Sequence, residues 1–216
     1  LMRLGLYEQL GREDEIGPEL DALAGRYPQT PDLRLALARW TLERNTGDTE
    51  RAQQIFQDLL QRNAGDQAML SELAGEMTDL FGAESARGVF ERAARAGDLE
   101  GAFENQIAVL ETAGGDRDGA IARLEREIEA ETRAETRNPS RLLLARLLDP
   151  ADDLDRRRAL AEAVLETDAQ NPSANLLRAD VYLRQNDYEN AITHLRAALS
   201  VRPDAPEILL ELARVH

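Results

Sequence analysis

The chain has no cysteine, so disulfides and thiolate metal sites are excluded, a composition compatible with cytoplasm and periplasm alike. Lysine is missing as well: all 26 basic residues are arginine. Set against 41 acidic residues they leave a formal charge of −15, which repels phosphate backbones and anionic lipid surfaces. Nucleic acid is therefore not an expected partner, and basic or amphipathic protein segments are. Aromatic residues make up only 4%. No unbroken apolar run reaches the roughly 18 residues that a bilayer span needs, so direct membrane insertion is not expected either.

Groups able to do chemistry are scarce. The histidines are His194 and His216, with no second histidine or cysteine at ligand spacing. The carboxylate pairs Glu72 with Glu76 and Glu125 with Glu129 are what any acidic helix face produces at four-residue spacing. The run Asp116-Arg117-Asp118-Gly119 lacks an oxygen ligand two places earlier, where Gly114 stands, and reads as a tight turn rather than a calcium loop. Gly114-Gly115 has neither a preceding strand nor a further glycine at phosphate-loop spacing. No serine has a partner spacing that suggests a nucleophile. No catalytic residue, metal or cofactor is expected, and the chain does not read as an enzyme.

What the chain has instead is a period. Pro172 to Ala205 form a 34-residue unit with Ala179 eighth, Tyr182 eleventh, Tyr188 seventeenth, Ala191 twentieth, Leu195 twenty-fourth, Ala198 twenty-seventh and Pro203 thirty-second. Residues 67–100 repeat it without a gap through Leu73, Ala74, Met77, Ala86, Phe90 and Ala93. Residues 101–137 do so through Ile107, Ala108, Ala120 and Leu124 with three extra residues, and 138–171 through Leu144, Ala145, Leu148, Ala161 and Val164. Residues 31–66 need two extra residues around 45–47 before Ala52, Phe56 and Leu59 fall into place. Partial units stand at 1–30, through Leu4, Tyr7, Gly11, Ile16, Leu20, Leu23 and Pro28, and at 206–216, through Leu212 and Ala213. Polar residues interrupt the pattern at Thr41, Glu111 and Arg157, where the packing of the units is open to disturbance.

This spacing resembles the tetratricopeptide repeat family over essentially the whole chain. The fold so implied is all-α: a right-handed α-solenoid of stacked helix-turn-helix units, expected here as a single array over 1–216. Each two-helix hairpin cannot bury its apolar face alone, so neighbours stack and share a core. Short side chains at Ala74, Ala108, Ala145 and Ala179 let helix axes approach to about 8–10 Å. Since Leu1-Met2-Arg3 falls inside one helix pattern and His216 inside another, the chain is expected to be a piece of a longer protein. Proline at 31, 139, 172 and 206 marks helix starts, with Thr30, Asn138, Asn171 and Asp204 beside them as caps. Glu125 to Arg137, poor in apolar residues, is expected to be an overlong second helix with a solvated end.

In that family the first helices line the inner wall of the superhelix. The resemblance therefore implies a partner-binding groove at Leu35 and Arg39, at Asn105, Gln106 and Val109, at Leu142 and Arg146, and at Leu176, Asp180 and Arg184. Leucine recurs at the fifth place and arginine at the ninth. The fifth-place leucines have an equal reading as packing between adjacent first helices. Chaperone-binding members use lysine and asparagine at such places to clamp a carboxylate; this chain has no lysine and shows leucine there, so that carry-over fails. The expected function is a scaffold that binds an amphipathic helix or extended peptide of another protein, by apolar contact with Leu and hydrogen bonds from Asn105 and Gln106. An arginine-only composition fits a GC-rich bacterial genome, and a place in an envelope secretion or exopolysaccharide-export assembly leads, leaning to the periplasm. A recruiting arm of an enzyme lying outside these residues, and self-association through Leu209, Leu210 and Leu212, are the alternatives.

Overall fold

The computed structural model describes residues 7, 10–27, 30–44, 49–97, 99 and 101–215. Leu4, Pro28 and the turn expected at 45–48 lie outside the described residues. Among the described residues every regular element is helical. A 3-10 turn at Glu13–Glu15 leads into α1 (Ile16–Arg26), followed by α2 (Pro31–Arg44), α3 (Thr49–Arg62), α4 (Gln67–Phe81), α5 (Ala83–Gly97) and α6 (Glu104–Ala113). Then come α7 (Arg117–Ala130), α8 (Ala134–Leu147), α9 (Leu154–Leu165), α10 (Pro172–Arg184), α11 (Tyr188–Val201) and α12 (Pro206–Val215). The fold is all-α, with helix hairpins stacked side by side. Contacts divide the chain into two compact units, Leu1–Gly114 and Gly115–His216. The division falls inside the 101–137 hairpin, at a glycine pair whose Gly115 takes φ +90, a conformation that costs glycine little.

The unit Leu1–Gly114 has an aromatic core. Phe56, Leu59, Leu60, Leu70, Leu73, Met77, Val89, Phe90, Phe103 and Ile107 are buried in one continuous cluster with Ala38, Ala74, Ala86 and Ala93. Phe56 meets Phe81 edge-on at 5.7 Å, and Phe90 meets Phe103 edge-on at 5.6 Å, the arrangement that ring quadrupoles favour. Tyr7, Ile16, Leu20 and Leu37 form a second cluster around α1. Thr41 is buried within α2, where its hydroxyl donates to the Leu37 carbonyl at 2.7 Å, so this departure from the repeat pattern is satisfied within its own helix.

In Gly115–His216 the apolar clusters are smaller and richer in alanine: Ala145, Ala161 and Leu177 in one, Ala179, Leu195, Ala198, Ala205 and Ile208 in another. Leu124, Leu144, Leu148, Val164 and Val181 are buried as well, and the polar side chains of Ser140, Arg157, Asn175 and Arg178 are buried among them. Arg157, standing where the repeat has alanine, is buried without splitting its hairpin. Its Nε donates to the Ala145 carbonyl at 3.0 Å, and its NH1 lies 2.8 Å from Asp180. Helix caps follow the expected chemistry where the turn carries Asp or Asn: Asp116, Asn171 and Asp187 accept from the backbone N–H groups of Gly119, Ala174 and Asn190.

Two expectations fail around residue 130. The overlong second helix does not form: α7 stops at Ala130, and Glu131-Thr132-Arg133 turns the chain. The turn is held by the Glu131 side chain, which accepts from the Arg133 backbone N–H at 2.8 Å, and by the Arg137 guanidinium, whose Nε donates to the Glu131 carbonyl at 2.6 Å. Glutamate and arginine at short spacing were thus closing a break rather than decorating a solvated helix. The next helix consequently starts at Ala134, so Pro139 lies inside α8 rather than at its start. Asn138 does not cap it; its amide donates to the Thr167 hydroxyl at 2.8 Å.

Candidate partner-binding face

Within Leu1–Gly114, the first helices of successive hairpins are α2, α4 and α6, and polar side chains tie each to the next. Arg39 of α2 forks onto Glu76 of α4, NH2 to Oε2 at 2.6 Å, and this bond holds the Glu76 carboxyl below the ordinary glutamate range. Gln106 of α6 donates from Nε2 to Gln67 Oε1 of α4 at 2.8 Å. Arg39 is exposed and Gln106 is buried. Leu35 is half-buried against the core cluster of this unit. Asn105 and Val109 stand one turn apart on α6 and share a face. Val109 is 48% exposed, while the Asn105 Oδ1 and Gln106 Oε1 atoms are buried with no hydrogen-bond partner among the described residues.

The remaining five candidates fall in Gly115–His216. Leu142 lines a cavity of about 360 Å³ together with Ala134, Asn138 and Pro139 of α8 and Thr167, Asp168 and Asn171 of the α9–α10 turn. Arg146 lies one turn further along α8, exposed and with no ion-pair partner among the described residues. Leu176 is half-buried and packs against the Ala179–Leu195–Ile208 cluster. Asp180 is taken up by two arginines, Arg157 at 2.8 Å and Arg184 at 3.1 Å. The fifth-place leucines therefore differ among themselves: Leu35 and Leu176 pack on cores, Leu142 borders a cavity, and Leu210 is 53% exposed.

Sequence reading passed over the partners these residues acquire. Glu76 and Gln67 stand at no repeating place, and Thr167, Asp168 and Asn171 belong to a turn that the repeat pattern treats as a spacer. A carboxamide or carboxylate on a neighbouring first helix at suitable reach would have been the only signal.

His194 shows how these hairpins deal with isolated polar groups. Its ring stacks on Tyr182 at 5.5 Å and 20°, and Nδ1 lies 2.8 Å from Asn175 Oδ1. Asn175 spends its amide N–H groups on the Asn171 and Ala169 carbonyls, so its oxygen must accept and His194 Nδ1 must carry the proton. Burial, and then the nearby Arg178 cation, lower the His194 pKa. Arg178 lies over the Tyr182 ring at 4.5 Å and pairs with Glu162 at 3.0 Å. This is a packed histidine. Among the described residues no group of three His, Cys, Asp or Glu side chains is gathered for a metal, and no helix is long and apolar enough to cross a membrane.

Residues 172–215 match the tetratricopeptide repeat family. No curated protein sequence matches the chain. Among solved structures, the chain is similar to YrrB, described as a TPR protein with an unusual peptide-binding site, at a TM-score of 0.51 and 20% identity over 89% of this chain and 96% of that one. It is similar to the APC/C hetero-tetramer Cut9-Hcn1 at a TM-score of 0.58 and 15% identity over 97% of this chain and 41% of the other. The human IFIT1 dimer with m7Gppp-AAAA gives a TM-score of 0.54 and 15% identity over 98% of this chain and 54% of that one. At such identities the likeness speaks for the fold, and this chain spans about half or less of the last two proteins. By fold, then, this is an all-α array of helix hairpins similar to tetratricopeptide-repeat proteins, and residues 172–215 match the repeat family itself.

Proposed function

We propose that the chain is a non-catalytic scaffold that holds a segment of another protein against the exposed faces of its first helices. The repeat fold supports an interaction scaffold in general terms. The observation that carries the specific reading is the α6 face, where two carboxamide oxygens, Asn105 Oδ1 and Gln106 Oε1, are buried without donors beside exposed Val109. Both oxygens are shielded as they stand, so an extended partner's backbone N–H reaches them only after the α6 side chains rotate, which recovers the about 1–3 kcal/mol that an unpaired buried acceptor costs. Val109 supplies apolar contact next to it, the combination that peptide grooves use to fix register. A formal charge of −15 makes the partner a protein segment rather than a nucleic acid.

Site-specific photo-crosslinking tests this. Benzoylphenylalanine at Val109 in cells producing the full-length protein should capture a partner, whereas the same group at the exposed second-helix positions Gln54 and Glu84 should not. Crosslinks from Gln54 or Glu84 alone would overturn the reading. Within this proposal the assembly is a bacterial envelope one of the secretion or exopolysaccharide-export kind, which rests on the arginine-only composition of an irregular repeat array. Fractionation of cells making the full-length protein checks it, and recovery from the cytosol alone refutes it.

A further inference from the structure

We infer that the cavity beside Leu142 is a socket for a lysine side chain of the partner segment. This deepens the reading of the first helices as partner-binding and rests on it. The cavity holds about 360 Å³, at the low end of the roughly 300–1,000 Å³ of small-molecule sites and ample for one long side chain. Its wall from α8 is largely apolar, with Ala134, Pro139 and Leu142 spaced along one helix face, which suits an aliphatic stem. Its opposite wall is the α9–α10 turn, where Asp168 places a carboxylate on the lining.

The hydrogen bonds around the cavity select among its occupants. Asn138 is spent on the Thr167 hydroxyl and on Arg141, and the Thr167 hydroxyl donates to the Val164 carbonyl at 3.0 Å. Asn171 uses its oxygen as the α10 cap and its amide N–H on Asp168 Oδ2 at 3.0 Å. What remains is Asp168 Oδ1, an anionic acceptor without a donor among the described residues. With Oδ2 already engaged, the carboxylate offers no clean two-oxygen edge to a guanidinium fork, so a compact ammonium fits better than arginine. Glu166, exposed in the same turn, adds negative charge. The neighbouring cation, Arg141, is directed to Asn138 and the Ala163 carbonyl, 3.2 and 3.3 Å away. The 216 residues contain no lysine, so neither they nor a second copy of them can fill the socket with such a side chain.

The probe is the blocked tripeptide acetyl-Ala-Lys-Ala-amide, titrated into the ¹⁵N-labelled 216-residue chain. Parallel titrations use norleucine and arginine at the central place, and Asp168→Asn protein. Saturable shifts are expected for the Asn138 side-chain amide and the Thr167, Asp168 and Asn171 backbone amides with the lysine peptide. Binding should weaken about ten-fold for the norleucine peptide and for Asp168→Asn, and fall with added salt. Unchanged spectra elsewhere in Asp168→Asn would show that the turn still folds. Equal binding of norleucine, stronger binding of arginine, or no saturable shift at these four residues overturns the lysine assignment. Crosslinking at Val109 belongs to the other compact unit, so the groove reading survives or fails by its own measurement.

Discussion

Replacing Arg157 by alanine restores the residue that the repeat pattern calls for, yet the structure predicts that it destabilises Gly115–His216. α8 ends at Leu147, leaving its last four carbonyls without partners inside the helix. Three are supplied from elsewhere: Leu144 by the Leu148 N–H, Ala145 by Arg157 Nε, and Leu147 by Arg117. Removing the guanidinium from Ala145 forfeits a hydrogen bond to a charged donor, worth about 1.5–3 kcal/mol. The pair with Asp180 adds less than about 1 kcal/mol, because the Asp180 side chain is 37% exposed and keeps Arg184 as a second partner. Including the space left by the buried stem, the loss should be about 3 kcal/mol. Arg157→Lys, which keeps charge and stem but cannot reach both acceptors, should lose about half of that. Urea unfolding followed by far-UV circular dichroism measures the total, and hydrogen exchange at the Leu144–Leu148 amides localises it. A cost below about 0.5 kcal/mol, the level of an ordinary surface change, would refute the view of Arg157 as a helix-end donor.

The same structure yields three further expectations. Ala179→Leu should cost about 1–3 kcal/mol, since Ala179 is fully buried between α10 and α11 and the extra carbons have nowhere to go; a neutral change in urea midpoint would contradict this. Lowering the pH should destabilise the α10–α11 hairpin through His194. Its folded pKa lies below the unfolded value near 6.5, so both states are neutral above that value and the unfolded state takes the proton first below it. His194→Gln should therefore flatten the stability profile between about pH 6.5 and the folded pKa, and an unchanged slope would show that another group is responsible. The Glu131 carboxyl, held down to about 2 by the Arg133 side chain and backbone, should titrate near the ordinary glutamate range in Arg133→Ala. An NMR titration showing no upward movement would remove Arg133 from the turn it is said to close.

Repeat spacing made the helical architecture legible because each small or apolar place has a steric reason recurring in every hairpin. Ala74, Ala108, Ala145, Ala161, Ala179, Ala191 and Ala198 are all buried where the period puts them. The break at 131–133 was not legible, because a Glu-Arg pattern serves equally well on a solvated helix face and across a turn, and the contacts of Arg137 to the Glu131 carbonyl and of the Arg133 N–H to the Glu131 side chain distinguish them. The candidate binding residues were legible as places but not as states. The period assigns Asp180 and Leu142 to first-helix positions without knowing that a guanidinium from α9 reaches the first or that a turn opens a cavity beside the second.

Arg157 also decides which groups in Gly115–His216 remain for a partner. An alanine at that place would leave Asp180 with Arg184 alone, an exposed pair of modest strength that an incoming cation could displace. With Arg157 present and buried, the Asp180 carboxylate faces two cations, and drawing it away leaves a buried guanidinium short of an anion. Asp180 is thereby committed to the fold. Asp168, which no arginine engages among the described residues, is a carboxylate in this unit that borders a cavity. The buried arginine thus stabilises the end of one first helix and, by occupying the acid on the next, leaves Asp168 rather than Asp180 open to the lysine of the proposed socket.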